Sequence, residues 1–386
     1  MRTVKDILVD LKNTTELIVD LAYSALLFDM EDIAEEVLGL EDKILDLLQE
    51  LRFLAIVSTR SRDVAKALSP ILQIGSASQR IGNAAGDIAT LVLRGFKLPK
   101  EMIGAIVTQL EETVVKVVVD RNGDLANKTL GDVKLHTKTG MRVIAIKRGF
   151  EWIFNPDRDT KILVGDVLFA RGDISGVPKF FEVATGKSVK IESADVEMDI
   201  EDLDRAVDIL VDMKDLSELA VDLGYSSILY YNEDIAQEVV YLEERIDNMR
   251  FDLVHWVLRS CKHFGEINHL VALLDLAYCS EQIADSAREI AEIVLEGMEI
   301  HPIFLSAMKE ADEVIALVEV RKGSKLHGRT LGDARVETNT GMHVVAIKRG
   351  KNWITKPSAG TKVFAGDILI AKGTRESERL LRELCS

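Results

Sequence analysis

Apolar residues recur every three or four positions early in the chain: Ile7, Leu8 and Leu11, then Leu17, Ile18 and Leu21, then Ile33, Val37, Leu40, Ile44, Leu47, Leu48 and Leu51. That spacing puts them on one face of successive helices and predicts an antiparallel bundle of long amphipathic helices. Breaks are sparse, at Ser69-Pro70, Leu98-Pro99 and His301-Pro302, so three long helices and a short one are expected per bundle. Beyond about residue 112 the pattern changes to short β-branched runs. Thr113 to Val119, Met141 to Ile146 and Val164 to Ala170 predict strands, with turns at RNG, RGFEW and GD and a short helix over TLGD.

The same sequence of textures then repeats. KDILVDLK at 5–12 returns as VDILVDMK at 207–214, and EDIAEEVLGLE at 31–41 as EDIAQEVVYLE at 233–243, both displaced by 202. TLGD, TGMRVIAIKRG (139–149, returning as TGMHVVAIKRG) and VGDVLFARG (returning as AGDILIAKG) follow at a displacement of 201. The fold class expected is α+β multidomain, two all-α bundles alternating with two small α+β domains. The boundaries read as bundle 1–110, α+β domain 111–175, acidic linker 176–203, bundle 204–311 and α+β domain 312–386. Residues 192–204 carry seven acidic residues and no Lys or Arg, the composition of a solvated linker.

Charge and composition narrow the function. With 48 Lys and Arg against 64 Asp and Glu, the net charge of −16 sets the overall field against nucleic acid and anionic lipid, and no nucleic-acid partner is expected. Cys261, Cys279 and Cys385 lack metal-ligand spacing, and a reducing, cytoplasmic setting fits them. No apolar run is long enough to span a bilayer, so a membrane role would run through a partner. The seven histidines are scattered, and GxSxG, GxGxxG and Walker motifs are missing. Nothing in these patterns argues for an enzyme. The small residues of GSASQRIGNAAG at 75–86 predict close helix packing, and Tyr23, Tyr225, Tyr230 and Tyr231 read as half-buried bundle residues.

The ordered set KTLGD, TG with a strand ending in AIKRG, a Trp-Ile turn with a proline, and GD before a last strand resembles the RCK-C (TrkA-C) domain of potassium channels and transporters. The resemblance covers both α+β domains. It implies domains that pair, within one chain or in a homodimer, and a small anionic ligand such as a cyclic dinucleotide held between them. The positions it carries over are Ile146, Lys147, Arg148, Ile153, Asn155 and Pro156, and in the second copy Ile347, Lys348, Arg349, Ile354 and Pro357. Adjacent Lys and Arg at a strand end suit phosphate oxygens, although strands also commonly end in solvated basic residues. Two departures stand out: a family glycine is kept as Gly328 but replaced by Asn127, and Asn155 becomes Lys356.

The helical halves, with DLAYSALLFDMEDIAEEVLGLE, DLGYSSILYYNEDIAQEVVYLEERID and EQIADSAREIAEIV, resemble the PhoU domain of phosphate-uptake regulators. That likeness implies iron or a divalent metal at acidic pairs spaced four apart, which share a helix face. Glu243 with Asp247 and Glu281 with Asp285 are the candidates; the first copy has Glu41 with Leu45 and Gln79 with Asn83 instead. A solvated acidic face is the competing reading of those pairs. Together the resemblances imply a cytoplasmic, non-enzymatic regulatory subunit of a cation transport system, most simply potassium, peripheral to the inner membrane face through a transporter or channel partner. The alternative is a metal-binding scaffold or regulator of phosphate uptake.

Overall fold

The computed structural model describes residues 2–96, 98, 113–154, 156–172, 174–187, 201–260, 267–310 and 314–386. Helices α1 (Val4–Leu27), α2 (Glu31–Ser58) and α3 (Arg62–Leu93) form the first bundle. Thr3 and Asp6 cap α1 reciprocally, satisfying backbone donors at both positions, and Ser61 caps α3. The small-residue stripe packs closely, as expected: a Cβ on Gly75 would stand 2.8 Å from a Leu48 methyl and one on Gly82 3.0 Å from Ile44. No break occurs at Ser69-Pro70, because α3 continues through Pro70. The missing N–H forfeits one helical bond, and burial of Leu68, Ile71 and Ile74 around it outweighs that loss. The short helix expected after Leu98-Pro99 lies outside the described residues.

The first α+β domain contains β1 (Thr113–Val118), α4 (Leu130–Val133), α5 (Leu135–Thr139), β2 (Met141–Arg148), β3 (Glu151–Phe154), β4 (Val167–Gly172) and α6 (Val177–Thr185). Its antiparallel sheet runs β1-β4-β2-β3. RGFEW is not all turn: Gly149 and Phe150 make a tight hairpin, and Glu151 to Phe154 pair with Ala145 to Arg148. A β-bulge between Val143 and Ala145 turns two consecutive residues to one side. Ile144 and Ala145 face the helical bundle, while Val143 and Ile146 face the domain's own core under α5 and α6. Both faces are covered, which is why the run VIAI is continuously apolar. The domain also extends past 175: Phe180 of α6 is fully buried in its core, so the linker starts later than the acidic composition predicts.

The second unit repeats this plan. Helices α7 (Glu201–Tyr230), α8 (Glu233–Ser260) and α9 (Ile267–Leu295) form its bundle, and α10 (Pro302–Glu310) begins at the expected proline and packs on α1. Because α7 starts at Glu201, residues 201–203 are helical instead of linker. The second domain comprises β5 (Val314–Glu319), α11 (Val336–Thr340), β6 (His343–Arg349), β7 (Asn352–Ile354), β8 (Ile368–Gly373) and α12 (Arg375–Leu384), with strand order β5-β8-β6-β7 and the same bulge after Val344. The two bundles pack together through α3 on α9 and α1 on α7, and one sheet face of each domain lies on the helices.

Candidate functional site

The bundle seam is built from reciprocal hydrogen bonds. Tyr23 of α1 places its hydroxyl 2.8 Å from Ser217 of α7 and donates to Ser280 of α9 at 2.8 Å. Its repeat partner Tyr225 reaches back, 2.8 Å from Ser78 of α3 and bonded to Thr15 of α1. Position 23 therefore meets the counterpart of 15, and position 225 meets 15 itself, so α1 and α7 cross antiparallel about a pseudo-twofold axis near Val19 and Val221. Both tyrosines are almost fully buried, not half-buried as expected. Burial holds both phenols protonated, raising Tyr225 to about 12 despite the hydrogen bonds.

On that axis lies a cavity of about 30 Å³ lined by Glu16, Asp20 and Arg171 and by their counterparts Glu218, Asp222 and Lys372. Each sheet thus sends one cation, from the end of its last strand, into the acidic seam. Arg171 pairs with Asp20. Lys372 pairs with Asp222 at 3.0 Å and with Glu16 at 3.7 Å, touching both bundles. Beside it a larger cavity of about 220 Å³ has walls from all four domains: Asp20 and Phe28, Val114 and Arg171, Lys214 and Asp222, and Thr355 to Pro357 among them. Burial works against the Lys214 charge, but Glu218 and Asp215 prevail and hold its pKa above the ordinary value. Lys356 sits on the cavity rim and pairs with Asp212 and, at 2.7 Å, with Asp215.

The residues carried over from the domain resemblance serve mostly inside the fold. Ile146 and Ile347 are fully buried in their domain cores, with Ile153 and Ile354 half-buried against them. Arg148 makes a two-pronged clamp on Asp166, Nε and Nη2 each 2.8 Å from a carboxylate oxygen, and donates to the Lys161 carbonyl at 2.7 Å. Arg349 repeats it on Asp367 at 2.9 and 2.8 Å. Lys147 pairs with Glu36 of α2, and Lys348 with Asp234 of α8, so these lysines dock sheet to bundle. Pro156 is half-buried, Asn155 lies outside the described residues, and Pro357 lines the larger cavity. TLGD is a helix-capping motif: Thr129 and Asp132 cap α4 reciprocally, and Thr330 accepts from the Asp333 N–H.

The acidic pairs of α8 and α9 do converge, but with arginines among them. Glu243 accepts from Arg288 at 3.0 Å, Asp247 from Arg250 at 3.3 Å, and Glu281 lies 3.8 Å from Arg250. Burial, then a hydrogen bond with Glu243, raises the Asp285 pKa. Two guanidiniums offset half of the quartet's formal charge, and among the described residues no group of three or more His, Cys, Asp or Glu is arranged to hold a metal ion. Arg171, Lys372, Glu16 and Glu218 were not singled out from sequence. Arg171 and Lys372 lie inside the repeated VGDVLFARG and AGDILIAKG, and Glu16 aligns with Glu218 between the copies, so the repeat itself was their signal.

Comparison with known proteins places the architecture in a class. The family model of the TrkA-C domain matches residues 114–185 and 315–386, and that of the PhoU domain matches 210–294. The chain thus carries two TrkA-C domains and, over its second bundle, a PhoU domain. Potassium channel protein 1 of Methanocaldococcus jannaschii is 36% identical over 72 residues, 19% of this chain and 22% of that one. Ktr system potassium uptake protein C of Bacillus subtilis is 36% identical over 90 residues, 23% and 38% of the respective chains. The K(+)/H(+) antiporter subunit KhtT of Bacillus subtilis is 35% identical over 104 residues, 26% and 62%. The chain therefore spans less than two thirds of each of these relatives. PhoU from Pseudomonas aeruginosa overlays with a TM-score of 0.42 at 12% identity, over 76% of this chain and 96% of that one.

Proposed function

We propose that this protein is a non-enzymatic, cytoplasmic regulatory subunit of a potassium transport system, in which a small ligand at the seam governs how the two TrkA-C domains dock on the helical bundles. The potassium assignment draws on the named relatives, each of them a potassium channel, uptake or antiporter component. One observation carries the mechanism: the larger cavity has walls from both bundles and both TrkA-C domains. A molecule that fits it touches everything that would have to move. Such a ligand shifts the equilibrium by the difference in its affinity for the docked and undocked arrangements.

The cavity's polar walls favour an anionic or zwitterionic ligand that competes for Lys214, Lys356 and Arg171, exchanging internal carboxylate partners for its own. Pro357 connects this site with the turn that the domain resemblance singled out. The transporter partner follows from the relatives, and among the described residues no helix is long and apolar enough to cross a membrane. Titration calorimetry against cyclic di-AMP, adenine nucleotides and adenosine monophosphate tests the ligand. Saturable binding that weakens about tenfold in Lys356→Ala is expected, on the scale of one lost charged hydrogen bond. Flat thermograms for every compound overturn the nucleotide version, and failure to co-purify a potassium transporter from native membranes overturns the partner.

A further inference from the structure

At the end of the first bundle, the last two turns of α2 are apolar on both sides. Leu51 and Ala55 are buried, while Phe53, Ile56 and Val57 are exposed at 58%, 73% and 63%. Phe53, Ile56 and Val57 stand at i, i+3 and i+4, so they form one contiguous face looking away from the bundle. The chain then turns through Thr59 to Ser61 into α3, and the surroundings change sign. From Arg52 to Lys66 there are four basic residues, Arg52, Arg60, Arg62 and Lys66, all exposed, against one carboxylate, Asp63. Arg60, Arg62 and Lys66 make no ion pair with any described residue.

This local excess of positive charge belongs to a chain of net charge −16. At physiological salt, charges are screened beyond roughly 8 Å. The tip lies about 30 Å along α2 from Glu36, where the first TrkA-C domain docks, at 1.5 Å per residue. The nearest carboxylates of α2, Glu50 and Asp46, lie about 9 and 15 Å along the helix from Ile56, so within screening range of the tip the cations outnumber the acids. An exposed aromatic and two aliphatic side chains ringed by arginine and lysine match an interface with an apolar layer beneath a negative one.

We propose that the α2–α3 tip docks on anionic phospholipid, with Phe53, Ile56 and Val57 entering the boundary between headgroups and acyl chains and Arg52, Arg60, Arg62 and Lys66 meeting the phosphates. The inference rests on the tip alone and is independent of the ligand or transporter assigned above. Co-sedimentation of the full chain with protein-free vesicles of phosphatidylglycerol and phosphatidylcholine, against phosphatidylcholine alone, is the test. Binding to the anionic vesicles only, falling as salt rises, is expected. Each basic residue near such a surface contributes about fivefold in affinity, so Arg60→Glu with Arg62→Glu should cost roughly 20-fold or more. Ile56→Asp with Val57→Asp should abolish partitioning at any salt. All four positions are exposed, and circular dichroism melts of both variants should match the parent. Wild-type protein that stays in the supernatant, or variants that partition like it, overturn the proposal. So does sedimentation velocity in which the tip variants turn a dimer into a monomer while vesicle binding is unchanged, which would assign the face to a second copy of this chain.

Discussion

Tyr23 and Tyr225 each make two hydroxyl contacts to the opposite bundle, and their burial leaves those hydroxyls no water to turn to. Tyr23→Phe should therefore destabilise by about 1–2 kcal/mol, the range for breaking a buried hydrogen bond, with little change in packing volume. Chemical denaturation measures it, and the Tyr23→Phe/Tyr225→Phe pair should show coupling because both report on one seam. Arg288 makes the complementary case. Its removal leaves Glu243 and Asp285 mutually repelling beneath a partly buried surface, so Arg288→Ala should lower the melting temperature, and added divalent cation should restore part of the loss. An unchanged melting temperature would show that the arginine is not what stabilises the quartet. At this scale the sequence was legible in type but not in role. Arg148 and Arg349 read as candidates for phosphate, yet each is committed to an aspartate 18 positions on, a pairing that exists only once β2 and β4 lie side by side.

Among elements, the repeat is symmetric in backbone and unequal in charge. Glu36 on α2 faces Lys147 and Lys116; its counterpart Glu238 on α8 faces a sheet where Lys116 has become Leu317. Burial raises the Glu238 pKa to about 7, only partly offset by Arg245. Its folded value lies above its unfolded one, so the native state binds the extra proton between about pH 4.5 and 7, and stability falls as pH rises through that window. Glu238→Gln should flatten this part of the pH–stability curve and gain most relative to wild type near pH 8, measured by denaturation across pH. An unchanged slope would place the titration elsewhere. Helices α1 to α3 and strands β1, β2 and β4 were readable because burial follows period 3.6 in the first and β-branched runs in the second. Strand β3 was missed because Trp152 and Phe154 stack toward Phe169 and the bundle, a tertiary contact that local turn residues do not encode.

For the whole molecule, the two TrkA-C domains are tied to the helices by cations: Arg171 and Lys372 in the axial cavity, and Lys147 and Lys348 further out. The domains also approach each other around Glu337, which pairs with His343 of its own domain and has His136 and Arg142 of the other nearby; burial opposes the Glu337 charge, but these groups hold its pKa below the usual carboxylate value. Substituting Arg171 and Lys372 together by Met should leave each domain folded while loosening their docking. Small-angle scattering should then show a larger radius of gyration with little loss of ellipticity. A scattering curve identical to wild type would mean that apolar packing alone holds the domains in place.

The amino-acid sequence by itself determined the duplication, the alternation of bundles with small sheets, and the families of the two sheet domains and of the second bundle, because periodicity and ordered motifs are local properties of the chain. It could not determine the seam. The cavity walls come from residues as far apart as Asp20, Arg171, Asp222 and Pro357, and the axis relating them exists only when two antiparallel bundles meet. The tertiary structure also decided which charges are spent inside the fold, since a carboxylate must lie within a few ångströms to claim a guanidinium and sequence distance does not report that.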